Sequence, residues 1–219
     1  MYVDDVKIQA CLDAVKICVR LHGVNDSYHH GDLRRALIDA AVAAIAEGGP
    51  AALSLRAVAK RAGVSHAAPA HHFGDKAGLL TAVAAEGFDR LADTLEAAWS
   101  DTGDFVAVGA AYVRFAVDSR AHFAVMFRHE LLHGDDPDLR RSSDRAAAAL
   151  HRGSGTAEGP GWNPAALAAW SLAHGFAELL SGGNFPPEVK DDPEAAFKEV
   201  GRATGLRVDQ STARERAAH

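Results

Sequence analysis

The segment His129-Glu130-Leu131-Leu132-His133 is a literal H-E-x-x-H. On a helix this spacing sets two imidazoles one turn apart on one face, where they can hold zinc while the glutamate acts as general base in a hydrolase. Catalytic zinc needs a third protein ligand. The extended form of the motif is absent, because Gly134-Asp135-Asp136-Pro137 follows. In a chain with 12 histidines, a match at three fixed positions carries little weight. Phe123, Met126, Phe127 and Leu131 also give the segment an apolar face, which points to core packing. No catalytic residue, metal or cofactor is assigned, and a zinc-dependent hydrolase is kept as the alternative reading.

A second set of residues could do a different chemistry. In Ser54 to Lys76, SLRAVAKRAGVSHAAPAHHFGDK, the apolar positions Leu55, Val58, Ala59 and Ala62 recur at threes and fours, and Gly63 supplies the freedom a tight turn needs. Ser65 is a candidate N-cap for a second helix, His66 to about Phe73, with Pro69 in its first turn. Two short helices around such a turn form a helix-turn-helix, whose second helix can enter the DNA major groove. His66, Ala67, Ala70 and His71 then face bases. The small residues permit close approach, and imidazoles can donate to or accept from base edges and phosphates.

The remaining periodicity positions this reader. A first helix from Leu33 to about Glu47 ends at Gly48-Gly49-Pro50, and Ser54 caps the next. A long helix beginning near Asp75 runs through Leu80, Val83, Phe88, Leu91, Leu95 and Trp99, joining reader to body. Phe105 to Phe115, His122 to His133, Asp138 to His151, Asn163 to Ser181 and Pro193 to about Thr204 read as further helices. Residues 152–162 and 182–192 read as loops. The expected fold is all-α: an amphipathic N-terminal extension over 1–27, a DNA-binding domain over 28–76, a regulatory and dimerisation domain over 77–207 and a polar tail over 208–219.

The run Tyr28 to Arg34, then Ser54 to Ala59, Ala62-Gly63-Val64-Ser65, His72-Phe73-Gly74-Asp75-Lys76 and Leu79-Leu80 resemble the N-terminal domain of tetracycline-repressor-like (TetR) transcriptional regulators. Downstream, Ala169-Trp170-Ser171-Leu172-Ala173-His174-Gly175 resembles the Trp-His-Gly motif of one C-terminal domain class in that family. The resemblance implies a homodimeric repressor that binds an inverted-repeat operator in double-stranded DNA and is released by a small-molecule effector. It places Ser54, Arg56, Ser65, His66, Ala67, Ala70, His71, His72 and Lys76 at the DNA, with Lys76 on a phosphate. It places an effector pocket among Phe105, Tyr112, Phe115, Phe123, Met126, Phe127, Trp170 and His174. The dimer interface falls on Ala168, Ser171, Leu172, Gly175 and Leu179. Ala70 stands where the family usually has a phosphate-contacting tyrosine, so a helical dimeric binding protein without DNA affinity is the third reading.

Composition agrees with a basic reader on an acidic body. The net charge is -6, yet residues 28–76 hold six basic side chains (Arg34, Arg35, Arg56, Lys60, Arg61, Lys76) against four acids (Asp32, Asp39, Glu47, Asp75). Cys11 and Cys18 lie seven apart on an expected helix, about 10 Å, too far for a bridge within one chain. With Asp4 and Asp5 in place of a basic leader and no uninterrupted apolar span, the expected location is cytoplasmic, without membrane association.

Overall fold

The computed structural model describes residues 26–153 and 164–205, which form ten α-helices, a 3-10 turn and no strand. The amphipathic stretch at the N-terminus, both cysteines, Trp162 and the polar tail lie outside the described residues. Helix α1 (Asp26–Ala52) kinks at Gly49, inside the expected Gly-Gly-Pro break, and carries one further turn beyond it. Then come α2 (Leu55–Ala62), α3 (Ala68–Phe73) and the long α4 (Lys76–Thr102). The body continues with α5 (Phe105–Asp118), α6 (Arg120–Met126), the 3-10 turn (His129–Leu131), α7 (Pro137–Gly153), α8 (Pro164–Ser181), α9 (Pro187–Asp191) and α10 (Pro193–Ala203). No described helix is long and apolar enough to cross a membrane.

Helix α4 is the axis of the fold. Asp75 caps its start by accepting from the Gly78 amide at 2.8 Å, as Asp104 caps α5 by accepting from Val106 at 3.0 Å. Its buried side chains, Leu79, Leu80, Val83, Phe88, Leu91 and Leu95 among them, leave a face for each of α5, α6 and α7. Helix α1 lies across α4 and α6, so Leu37, Ile38, Ala41 and Ile45 of the reader share one core with the body. Outside that core, Arg145 on α7 pairs with Asp93 and Glu96 on α4 at 2.6 and 2.7 Å. Exposed pairs like these add only tenths of a kcal/mol to about 1 kcal/mol; burial does most of the work of holding α7 to α4.

Contact between α4 and α6 depends on Gly87, where a Cβ would stand 2.6 Å from Met126 Sδ and 3.0 Å from His122 Cβ. Gly87→Val should therefore force the two helices apart and destabilise the protein by about 1–3 kcal/mol, read as a lower midpoint in urea denaturation. An unchanged midpoint would show that this approach is not close in solution.

The helix expected over His122 to His133 is shorter than its periodicity suggested. It begins at Arg120, ends at Met126, and passes through the 3-10 turn into extended backbone at Leu132 (φ -117°, ψ 155°). Phe127 tucks against Phe88, while the following chain runs back along α4 to reach Thr81 and Asp75. An uninterrupted helix could not serve both ends. The H-E-x-x-H stretch is consequently not on an α-helix, and its two imidazoles go to different places. Two further departures are α1, which begins at Asp26, ahead of the expected Leu33, and α9, a short helix inside the expected 182–192 loop.

Candidate functional site

The reader is built around α2 and α3. Ser54 accepts from the Ala57 amide at 3.2 Å and so caps α2. At the other end Gly63 turns left-handed (φ 69°), and the Gly63 and Val64 amides donate to the Lys60 and Ala59 carbonyls at 3.2 and 3.0 Å. The second helix starts later than expected. Its N-cap is Ala67, which has no side-chain cap bond, and Ser65 contributes its backbone carbonyl to the Ala68 amide at 3.1 Å. His66 and Ala67 thus stand in the turn ahead of α3. Pro69 is fully buried in the first turn, where a proline removes no helical hydrogen bond.

Ser54, Arg56, Ser65, His66, Ala67, Ala70 and His71 are all exposed. His72 is half-buried and turns toward the seam between reader and body. Lys76 is also half-buried, and its ammonium donates to the Ala51 carbonyl at 2.9 Å. It straps the end of α1 to the start of α4, with two further hydrogens to offer. Arg34 lies over the Phe73 ring, 5.3 Å from its centroid.

Two ionic clusters join reader to body. Glu86 on α4 accepts from Arg35 on α1 and from His122 Nε2 on α6, the latter at 3.3 Å. His122, with Arg35 beside it, holds the Glu86 carboxyl well below its usual range, at about 2. At the tip of α4, His133 Nε2 donates to Asp75 Oδ1 at 2.9 Å, and the His133 amide donates to Thr81 Oγ1 at 2.9 Å. Asp75 raises the His133 imidazole above its ordinary value, and His133 lowers the Asp75 carboxyl in turn. The depression of about 840 Å³ between the domains is lined largely by charges, Arg35, Glu86, Arg90, Asp135, Asp138 and Arg141 among them. It is a charged seam rather than a place for an apolar molecule.

A cavity of about 390 Å³ lies deeper in the body, between α4, α5, α7 and α8. Phe88, Leu91 and Leu95 of α4 form one wall, Tyr112 and Phe127 the floor, and Trp170, Ala166 and Leu167 of α8 another wall. Ser143, Ala146, Ala147, Leu150 and His151 of α7 complete it together with His129. Behind the floor, the Tyr112 hydroxyl lies 2.8 Å from His174 Nδ1. Burial pushes the Tyr112 phenol up, out of the ordinary tyrosine range, and pushes His174 down. The phenol therefore donates to a neutral imidazole, whose Nε2–H is left facing Glu178 at 3.8 Å. Phe123, Phe127 and Trp170 enclose that imidazole, with ring centroids at 5.3, 4.6 and 5.9 Å.

Residues 37–83 match the model of the bacterial regulatory proteins of the tetR family, and residues 105–203 match that of the tetracyclin repressor-like C-terminal domain. The two matches cover the helix-turn-helix and the cavity-bearing body in the expected order. The chain belongs to the TetR family. It is a DNA-binding transcriptional regulator, not an enzyme. Among solved structures, a protein of unknown function from Rhodococcus sp. RHA1 is 33% identical, with a TM-score of 0.61, and the match covers 80% of this chain and 98% of that one. A TetR family transcription regulator from Marinobacter aquaeolei VT8 is 22% identical (TM-score 0.55; 78% and 94% covered). The TetR-like regulator LfrR from Mycobacterium smegmatis, solved with proflavine, is 23% identical (TM-score 0.57; 77% and 96% covered). Among curated proteins, none matches the sequence.

Within this TetR-family body, Tyr112, Phe127 and Trp170 of the expected pocket residues line the cavity. His174 stands behind them. Phe115, Phe123 and Met126 are buried in the core at 4, 5 and 0% exposure, and Phe105 borders a void of about 20 Å³ beside Phe197. Seven residues apart, Phe105 and Tyr112 share one face of α5 and both border that void, but it is Tyr112, two turns farther along, that also reaches the larger cavity. Sequence reasoning missed the α4 and α7 walls. The signal on α7 was its small residues, because Ser143, Ala146, Ala147 and Leu150 at spacings of three and four leave room that an aromatic stripe would fill.

On α8, Leu167 and Leu179 are the exposed large hydrophobic residues among those described, at 40 and 48%. Ala168 and Ser171 are exposed beside them, and Leu172 and Gly175 are half-buried. A Cβ on Gly175 would meet nothing within 4 Å.

Proposed function

We propose that this regulator is a repressor that binds an inverted-repeat operator as a homodimer and leaves it when a small apolar or amphipathic molecule occupies the cavity. The observation that carries the reading is the continuity of α4, which holds Lys76 beside α3 at one end and gives Phe88, Leu91 and Leu95 to the cavity wall farther along. A single rigid element thus meets both ligands. The proflavine complex of LfrR and the imidazole complex of the multidrug-binding protein EbrR lend support, since both proteins share the fold.

The test is to capture genomic fragments on the purified protein and sequence them. A shared inverted repeat, bound more weakly as salt rises, is the expected result. Lys76→Ala should weaken all sequences alike, whereas changes at His66 or His71 should alter preference at particular base pairs. Because Ala70 offers no phenol to a phosphate, Lys76 and the exposed reader side chains carry the backbone contacts in this reading, and capture of no shared site would overturn the inverted-repeat operator.

Dimerisation is assigned to the α8 face carrying Ala168, Ser171, Leu172, Gly175 and Leu179, where small residues let a partner helix approach. Gly175→Arg projects into open space in one subunit, so its fold should survive while its dimer does not. Light scattering on the eluting peak should read half the wild-type mass. A variant that remains dimeric would move the interface elsewhere.

A further inference from the structure

We propose that the cavity selects apolar molecules whose polar end is neutral or negatively charged, and rejects cations. This rests on the reading of the cavity as the effector site and names the chemistry of what enters it. Among the described residues on its wall there is no aspartate, glutamate, lysine or arginine. Among the described wall residues, those carrying an exchangeable proton of this kind are Tyr112, His129 and His151. Tyr112 stays a phenol, because burial raises it and its hydroxyl is held by His174. An imidazole is neutral or cationic, never anionic. The described wall can therefore gain positive charge but cannot supply a negative one.

The opposing effect is attraction of a cation by ring faces, worth about 0.5–2 kcal/mol for a well-placed ring. Here one ring face is already covered in each of two edge-to-face pairs. Phe88 and Phe127 meet edge to face at 81°, and Tyr112 meets Phe123 at 83°. Stripping water from an ammonium without a counter-charge costs several kcal/mol, so desolvation outweighs the rings. A carboxylate or hydroxyl fares better. His129 is exposed as well as lining, so it stands where the cavity meets water, and its imidazole can donate to an acceptor there. The fitting ligand is amphipathic, with its hydrocarbon against Phe88, Leu91 and Leu95 and its polar end toward His129.

Three probes with one naphthalene body test this on the full-length protein by isothermal titration: 1-naphthoate, 1-naphthol and 1-naphthylmethylammonium. The first two should each bind about tenfold more tightly than the ammonium, or better. Ser143→Asp places a carboxylate on the wall and should improve the ammonium by about tenfold while weakening naphthoate. Ala147→Trp, with folding verified by circular dichroism, should abolish binding of all three by filling the space. Should the ammonium bind as well as naphthoate and lose its binding in Ala147→Trp, the cavity reading stands and the charge selection is overturned. If no probe binds, or if binding ignores both substitutions, the effector-site reading falls and this proposal with it.

Discussion

Glu86→Gln should destabilise the protein by about 2 kcal/mol at neutral pH. The carboxylate is the shared acceptor of Arg35 from α1 and His122 from α6, and His122 is only 2% exposed. An amide of the same shape keeps one acceptor oxygen but loses the charge that both partners answer. A carboxyl held at about 2 against an ordinary 4.5 corresponds to about 3 kcal/mol, and we reduce this to about 2 because Glu86 reaches solvent and the amide retains part of the bonding. The sign follows from the direction of the shift. A depressed carboxyl contributes fully above the ordinary value of 4.5, and the contribution is lost as pH falls toward about 2. Urea denaturation of wild type and variant should differ most at pH 7, with the gap narrowed to roughly a quarter by about pH 2.5. An equal gap at both pH values would mean that packing, not the charge, is what the substitution removes.

That triad shows where sequence reading stops. Arg35, Glu86 and His122 sit 51 and 36 residues apart along the chain, with no local spacing to connect them. The helices themselves were legible because burial imposes a 3.6-residue period, and the caps at Ser54 and Asp75 were visible as side chains able to accept orphan amides. Boundaries failed where a tertiary contact overrides local preference. Ser65 is a good cap by type, yet its carbonyl closes the turn, and α3 waits for Ala68. In the same way, Leu131 and Leu132 continue a helical pattern, but the pull of Asp75 and Thr81 on His133 unwinds it. The cavity was legible in part. Aromatic residues at helical spacing mark apolar surface, but which of them face a void is set by helix rotation, so Tyr112 and Phe127 line it while Phe115 and Phe123 fill core.

The stretch that read as a zinc motif bears instead on the coupling expected between effector and DNA. His129 is on the cavity wall, and His133, four residues on, is hydrogen-bonded to Asp75, the cap of α4 and the neighbour of Lys76. A molecule in the cavity therefore touches the reader by two routes, through the α4 wall and through this short loop. In a dimer the two recognition helices must stay about 34 Å apart to meet successive major grooves, so a small tilt of α4 is enough to favour the DNA-free state. An effector that prefers the tilted state must lose affinity on operator by the same factor by which operator loses affinity on effector, typically about 5 to 150-fold. Titrating the effector with and without operator at fixed salt measures one direction, and titrating operator with and without effector measures the other. His133→Ala should cut the factor to about threefold or less if the loop carries the larger share, while leaving a reduced but reciprocal coupling through α4. Because Asp75 raises the His133 imidazole, the bond is charged at and below the ordinary histidine range and loses its charge as pH rises through the raised value. Coupling in the wild type should accordingly decline toward alkaline pH, and coupling in His133→Ala should not. Equal effector affinities with and without operator in the wild type would sink the release mechanism and leave the DNA-binding assignment intact, whereas tighter effector binding on operator would make the molecule a corepressor.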